Sequence, residues 1–287
     1  MNEYNLIKTL FGGTDGVKDL FKSDAQIIEI NGQKWAVTCD TFSLEEDLFT
    51  SENPYLLGRN LAVATIGDLT ASGAEPAFYM HSITLAKDTK EDWIKEVARG
   101  ISDILKQVNC VLIGGDMGRG ASFSYTGIAL GRQVKEVSRI FPPVKQNLYV
   151  TGPLGDANIA ALNGAPTPEF ELRKMPANML ACIDTSGGFM DALWQLHALN
   201  LNFKIEAQVS NCEDLRSLFG GAGEYELLFS AEGEAANAIH IGTVTPNEKG
   251  VFLNGVEIKN PPPDPRGFDN LQDYIKEVSK TVYELFR

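Results

Sequence analysis

The chain has 287 residues, a formal net charge of −13, four cysteines and three histidines. The cysteines are scattered and form no CxxC pair, which excludes the usual pattern of a zinc site and favours a reduced, cytoplasmic setting. The acidic charge argues against nucleic acid as a partner, and no stretch approaches the roughly 18 apolar residues of a membrane span. The N-terminus lacks a basic start followed by an apolar core, so we expect no signal peptide.

Strand and helix patterns alternate along the chain. In the first half, apolar runs predict strands over residues 34–42, 78–86 and 123–131, and a further strand that begins near Cys110. These strands are apolar enough for burial on both faces. Helical spacing of apolar residues predicts helices over residues 53–73 and 90–109.

The second half continues the alternation after a linker-like segment, residues 141–147. Strand-to-helix turns are predicted in NLYVTGPLGDANIAALNG and in CIDTSGGFMDALWQLHALN. Later strands are predicted at 225–230 and 240–246, with a C-terminal helix from about Gly267. The pattern predicts two mixed α/β domains, residues 1–138 and 139–287.

Acidic residues stand at the ends of predicted elements in the N-terminal half. They are Asp24 in KSDAQ, Asp40 in VTCD, Asp68 in IGDL and Asp116 in GGD. Each acid alone is also typical of a helix cap or a turn. Together they favour a shared magnesium site, because Mg²⁺ takes hard oxygen ligands and bridges carboxylates to substrate phosphates.

The segment LIGGDMGRG ends a predicted buried strand on two glycines and an acid. Gly114 and Gly115 carry no side chain, so a triphosphate can approach the backbone there while Asp116 holds a metal ion. A tight turn would also explain the glycines. Arg119 is a candidate phosphate contact. Neither a P-loop nor a GxGxxG after a strand is present, and no nucleophile constellation is evident.

Several segments together resemble the motifs of thiamine-monophosphate kinases. That family shares a superfamily with aminoimidazole ribonucleotide synthetase, selenophosphate synthetase and the hydrogenase maturation protein HypE. The similar segments are LIGGDMGRG, WAVTCDTF, LAVATIGDLTASGAEP, LYVTGPLGDANIAAL, CIDTSGGFMDAL and GAGEYELLF. The segments IGTVTP and RGFDNL favour the thiamine kinase branch. The resemblance extends from about residue 24 to about residue 270.

The resemblance implies a two-domain α/β fold with mixed sheets, of the aminoimidazole ribonucleotide synthetase type, and a homodimer formed through N-terminal sheets. It implies ATP and Mg²⁺ as cofactors and transfer of the γ-phosphoryl group of ATP to thiamine monophosphate. The implied metal ligands are Asp24, Asp40, Asp68 and Asp116. The implied ATP contacts are Asp24, Thr41, Gly114, Gly115 and Asp116, with Asp116 and Arg119 as catalytic residues. The implied substrate contacts are Asp156, Glu224 and Phe268.

Two acids of the family pattern are missing. Ser23 stands in place of the first acid of GDDAA, and Gly187 in place of the acid of SDG. Lys22 offers a positive charge near the first of these positions. Restoring the acid at position 187 should improve metal binding, provided that the turn does not require a positive φ. Two alternatives stay open: another ATP-using reaction of the superfamily, of the aminoimidazole ribonucleotide synthetase or HypE type, or a non-catalytic nucleotide-binding paralogue.

Overall fold

The structure is a computed structural model that describes residues 9–10, 21–43, 53–210, 212 and 214–287. These residues form two mixed sheets and the helices packed on them. The strands are β1 Gln26–Ile30, β2 Gln33–Ser43, β3 Ala74–Ala86, β4 Val111–Gly120, β5 Ser124–Gln133, β6 Gln146–Val150, β7 Met179–Asp184, β8 Phe203–Ala207, β9 Leu227–Ala231, β10 Ile239–Pro246, β11 Gly250–Leu253 and β12 Val256–Ile258. The helices are α1 Pro54–Ala71, α2 Glu91–Gln107, α3 Asp156–Leu162, α4 Phe189–Leu199, α5 Arg216–Phe219 and α6 Leu271–Leu285, with a 3₁₀ turn at Pro265–Gly267. Within these ranges no helix has the length and apolar character needed to cross a membrane.

The first sheet has the order β1-β2-β5-β3-β4 and is antiparallel except for the pair β3–β4. In the single chain the strands of this sheet are covered on one face, so the expected burial of both faces stays a prediction that depends on the dimer. Along β5, buried and half-buried residues alternate, because successive side chains point to opposite faces and helices cover only one of them. The edge strand β4 is exposed over nearly its whole length.

The second sheet has the order β12-β11-β8-β10-β6-β9-β7. Its core includes apolar residues of helices α4 and α6 as well as of the strands. The chain passes from the first sheet to the second in residues 134–145, between β5 and β6. The predicted domain boundary at residue 138 falls in that interval and stays a prediction.

Helix α1 lies against β2, β3 and β5 of the first sheet and also contacts β7 of the second. Asn53 caps it by accepting a hydrogen bond from the Leu56 N–H at 3.1 Å, and Pro54 occupies its first turn. Most of its residues are buried, because neighbouring elements cover it on several sides. This central position carries Asp68, in the last turn, to the junction between the sheets.

Two glycines set the close contact between helices α1 and α2. A Cβ on Gly58 would lie 2.0 Å from the Val97 carbonyl oxygen, and one on Gly100 would lie 2.1 Å from the Tyr55 carbonyl oxygen. Both obstacles are backbone atoms, which cannot move away as a side chain can. The helices therefore approach each other only because these two positions lack side chains.

We expect Gly100→Ala to lower the free energy of unfolding by about 1–3 kcal/mol, because the added methyl group forces the two helices apart. Urea denaturation monitored by circular dichroism measures the change. Gly267→Ala is the matched control, since a Cβ there meets nothing within 4 Å. Equal stability of the Gly100 variant and the control would contradict the packing argument.

Candidate metal centre

Three carboxylates meet between the two sheets. Asp24 precedes β1, Asp68 lies in the last turn of α1, and Asp184 is the last residue of β7. One oxygen atom of each lies within 4.8 Å of those of the other two, a spacing that a single metal ion can bridge. The cluster thus combines ligands from both halves of the chain.

Two of these carboxylates, Asp24 and Asp184, are incompletely satisfied. The Asp24 side chain is 1% exposed and Asp184 is 4% exposed. The Oδ2 atoms of both are buried without a hydrogen-bond partner. Leaving a buried acceptor unpaired is unfavourable by about 1–3 kcal/mol, and by more when it carries charge. The three residues offer carboxylate oxygens, the ligands that Mg²⁺ prefers, and two of these oxygens are unpaired. The residues present therefore fit a Mg²⁺ ion.

Hydrogen bonds fix the remaining oxygens of Asp24 and Asp184. The Arg139 Nη2 atom donates to Asp24 Oδ1 at 2.7 Å, and the Asp184 backbone N–H donates to the same oxygen at 3.3 Å. The Ser186 hydroxyl donates to Asp184 Oδ1 at 2.8 Å. In each residue Oδ1 is therefore held by the protein, while Oδ2 is left for a ligand.

Burial and the charges of neighbouring acids raise the pKa values of Asp68 and Asp184. The pKa of Asp184 is raised to about 7, first by burial and then by the charge of Asp24. The pKa of Asp68 is raised well above its usual value by burial and by the charges of Asp40, Asp184 and Asp24, against a hydrogen bond donated by Thr38. The metal-free cluster thus holds protons that a divalent cation would displace.

The sheet register separates Asp116 from Asp40. Asp116 aligns across the first sheet with Ser82, Thr126 and Thr41. Asp40 pairs with Gly127 on β5, and paired residues point to the same face of the sheet. That face is the one covered by α1, because a Cβ on Gly127 would lie 2.2 Å from Thr65 Oγ1. The two acids thus lie on opposite faces and three strand spacings apart, roughly 14 Å. Within one chain they do not form the predicted four-acid cluster, and a role for Asp116 stays a prediction.

The other predicted nucleotide contacts lie on the first sheet. Gly114 has φ 154° and lies at a bulge between β3 and β4. Gly115 makes room for His81, since a Cβ would lie 2.4 Å from that ring. The exposed Arg119 Nη1 donates to the Ala86 carbonyl at 3.4 Å. Thr41 is exposed, so it and these residues lie on surfaces that a ligand can reach.

The predicted substrate residues lie in the second half of the chain. Glu224 is buried and accepts hydrogen bonds from the backbone N–H groups of Ala157 and Asn158, at 3.2 and 3.3 Å. Its carboxylate therefore accepts from backbone N–H groups that have no acceptor within the first turn of α3. Asp156 is exposed at the start of that helix. Phe268 is half-buried, with its ring 5.6 Å from that of Tyr274. Substrate contact by these three residues stays a prediction.

The positions that lack the family's acids have other contacts. The Ser23 hydroxyl donates to Ser72 Oγ at 2.8 Å, next to the C-terminus of α1. Gly187 does not have a positive φ. A Cβ there would lie 2.4 Å from Asp191 Oδ2, so the obstacle to a side chain is a neighbouring carboxylate and not the backbone conformation.

Two residues of the centre were missed by the sequence reasoning. Asp184 ends the apolar run MLACI, which is the same signal that identified Asp40 and Asp116. The family pattern drew the prediction to the acid missing at position 187, and no role was predicted for Asp184. Arg139 lies in the segment between the sheets and has no local pattern that would place it beside Asp24.

Comparisons with known proteins agree with this architecture. Residues 22–133 match the family model of the AIR synthase related protein, N-terminal domain. The thiamine-monophosphate kinase of Archaeoglobus fulgidus is 25% identical over 278 residues, which cover 88% of this chain and 92% of that protein. AaThiL complexed with AMPPCP and TMP has a TM-score of 0.76 at 18% identity, covering 90% of this chain and 95% of that one.

The same fold occurs in a protein of different name. HypE of E. coli, a hydrogenase maturation protein, has a TM-score of 0.67 at 18% identity and covers 92% of this chain and 99% of that one. The predicted AIR synthase-like fold is confirmed. Because proteins of different names share the fold, it does not by itself identify a reaction.

We expect the melting temperature of the metal-free protein to fall as pH rises from 5 to 8. The pKa of Asp184 is higher in the folded protein, about 7, than in the unfolded chain. Its contribution to stability is therefore complete below about pH 4 and is lost as pH rises through 7. Differential scanning fluorimetry in EDTA measures the slope.

Saturating Mg²⁺ should reduce this loss, because the cation takes the place of the proton. The Asp184→Asn variant lacks the titrating group and provides the control. A pH slope that is identical in the variant and the wild type would contradict the assignment.

Proposed function

We propose that this chain, a relative of the thiamine-monophosphate kinases, is a magnesium-dependent kinase that transfers the γ-phosphoryl group of ATP to thiamine monophosphate. The observation that carries the proposal is the convergence of Asp24, Asp68 and Asp184, two of them with buried, unpaired oxygens. The AMPPCP and TMP bound to AaThiL support the choice of nucleotide and acceptor.

Asp24, Asp68 and Asp184 would hold Mg²⁺ in this proposal, with Asp40 adding negative charge nearby. When bound, the ion would neutralise charge on the phosphate oxygens during transfer. The protein's own part is to fix the carboxylates. Arg139 and the Asp184 backbone hold Asp24, and Ser186 holds Asp184, which leaves Oδ2 of each residue unpaired.

The acceptor chemistry suits a site without a strong base. A phosphate monoester has a second pKa of about 6 and is largely ionised at neutral pH, so its oxygen can attack without losing a proton. Transfer then depends on alignment and charge neutralisation. The centre accordingly consists of three carboxylates, the Arg139 guanidinium and the Ser186 hydroxyl.

Purified protein with ATP, Mg²⁺ and thiamine monophosphate should form thiamine diphosphate and ADP. We expect Asp184→Asn to lower kcat/KM roughly ten- to hundred-fold, because it loses a charged metal ligand. Chromatographic separation of the thiamine phosphates gives the rate. Asp92→Asn, on a side chain that is 97% exposed, is the matched control.

The assay also separates the alternatives. ATP binding without thiamine diphosphate at any Mg²⁺ concentration would exclude thiamine monophosphate and point to another acceptor. Failure to bind ATP would favour a non-catalytic paralogue, for which the missing acids at Ser23 and Gly187 provide a reason.

We also propose that two copies of the chain associate through β4. In the described part of the chain this strand pairs only with β3, so its other edge presents unpaired backbone groups. Its exposed apolar side chains are Val111, Leu112, Ile113 and Met117. A long apolar edge strand of this kind is normally covered, and pairing with a second copy would satisfy it.

Multi-angle light scattering should therefore report a dimer, and Met117→Glu should shift it toward monomer by placing a charge in the contact. Leu201→Glu, on an equally exposed side chain near the second sheet, should leave the mass unchanged. A monomeric wild type at micromolar concentration would exclude this interface.

A further inference from the structure

A chain of side-chain contacts leads from the metal centre to the first turn of helix α4. Arg139 donates through Nη2 to Asp24 Oδ1 at 2.7 Å and through Nη1 to Gln195 Oε1 at 3.0 Å. Gln195 donates in turn through Nε2 to Asp191 Oδ2 at 2.6 Å. Asp191 therefore connects to Asp24 through two intermediates, and each link has a fixed donor and acceptor.

The role of Asp191 differs from that of an ordinary acid at a helix start. It is the third residue of α4, where a carboxylate commonly bonds to the backbone N–H that precedes the helix. Here the N–H of the N-cap residue Gly188 donates to the Thr185 carbonyl at 2.9 Å. The Asp191 carboxylate instead accepts a hydrogen bond from the Gln195 side chain. Burial raises the pKa of Asp191.

The contact requires a glycine at position 187. An ideal Cβ there would lie 2.4 Å from Asp191 Oδ2 and 3.1 Å from its Cγ. A side chain at 187 and the present position of the Asp191 carboxylate therefore exclude each other. An acid restored at 187 would displace the Asp191 carboxylate, so this contact opposes the expected gain in metal binding, which stays a prediction.

We propose that Asp191 is a positioning residue that acts through Gln195 and Arg139 to hold Asp24 in its metal-binding orientation, and that Gly187 is required because it leaves room for Asp191. Asp191 fixes the amide of Gln195, which fixes the Arg139 guanidinium. The guanidinium then occupies Asp24 Oδ1 and leaves the unpaired Oδ2 for a metal ion. Partners of this kind that orient a metal ligand typically contribute 10–100-fold to metal affinity.

The inference rests on the proposed magnesium site, and it is tested by metal binding without turnover. Mn²⁺ serves as the probe, and its free concentration is followed by electron paramagnetic resonance in titrations of the full chain. We expect Asp191→Ala and Gly187→Ala each to weaken Mn²⁺ binding about ten-fold. Gly187→Ala removes no charge or hydrogen-bonding group, so a loss there reports displacement of the Asp191 carboxylate.

The double variant Gly187→Ala/Asp191→Ala should bind Mn²⁺ no more weakly than Asp191→Ala alone, because the added methyl group then has no carboxylate to displace. Asp273→Ala is the matched control: Asp273 is the third residue of α6 and is hydrogen-bonded to Lys276 within its own helix. The Mn²⁺ affinity of the Asp273→Ala variant should equal that of the wild type.

Wild-type affinity in Asp191→Ala or in Gly187→Ala, or losses that add in the double variant, would overturn the positioning role while leaving the metal site intact. A wild type that binds no Mn²⁺ would overturn the metal site and this inference together. If Asp191→Ala fails to fold, Gly187→Ala and Gln195→Leu carry the test, and wild-type affinity in both overturns the proposal.

Discussion

The burial of three carboxylates beside one guanidinium is the constraint on which the rest of the site depends. Asp24, Asp68 and Asp184 carry more negative charge than Arg139 can balance, and water is largely excluded from Asp24 and Asp184. Proteins tolerate such an imbalance only when protons or cations compensate for it. The raised pKa values, the unpaired oxygens and the fit to a divalent ion are three consequences of this single imbalance.

The fold creates this excess of negative charge by bringing together segments that are distant in sequence. A helix that contacts both sheets carries Asp68, and its close approach to α2 depends on the absence of side chains at Gly58 and Gly100. Asp24 and Asp184 reach the same point from opposite sheets.

Local patterns in the sequence predicted most of the elements and part of the site. Apolar runs and helical spacing identified strands β2 to β5 and helices α1 and α2 to within a few residues, because those patterns follow from burial of one face. The short strand β1 was missed. Asp24 and Asp68 were found because acids at element ends are visible in the sequence. The grouping of acids was harder, since it depends on strand order and on which face each residue occupies.

The cases of Asp116, Asp184 and Gly187 illustrate this limit. Asp116 shares its sequence signal with Asp40, yet the register places the two on opposite faces of the sheet. Asp184 gives the same signal as both and joins the cluster through the second sheet. At Gly187 the relevant neighbour is Asp191, and a clash between two side-chain positions cannot be inferred from either residue alone.

The distribution of the centre over both sheets also has a consequence for synthesis on the ribosome. The segment that matches the N-terminal domain model ends at residue 133, before Arg139 and Asp184 have been made. A nascent chain of that length contains Asp24 and Asp68 but neither their cationic partner nor the third carboxylate. The three-carboxylate cluster is therefore assembled late, and its formation marks a chain whose two halves have both folded.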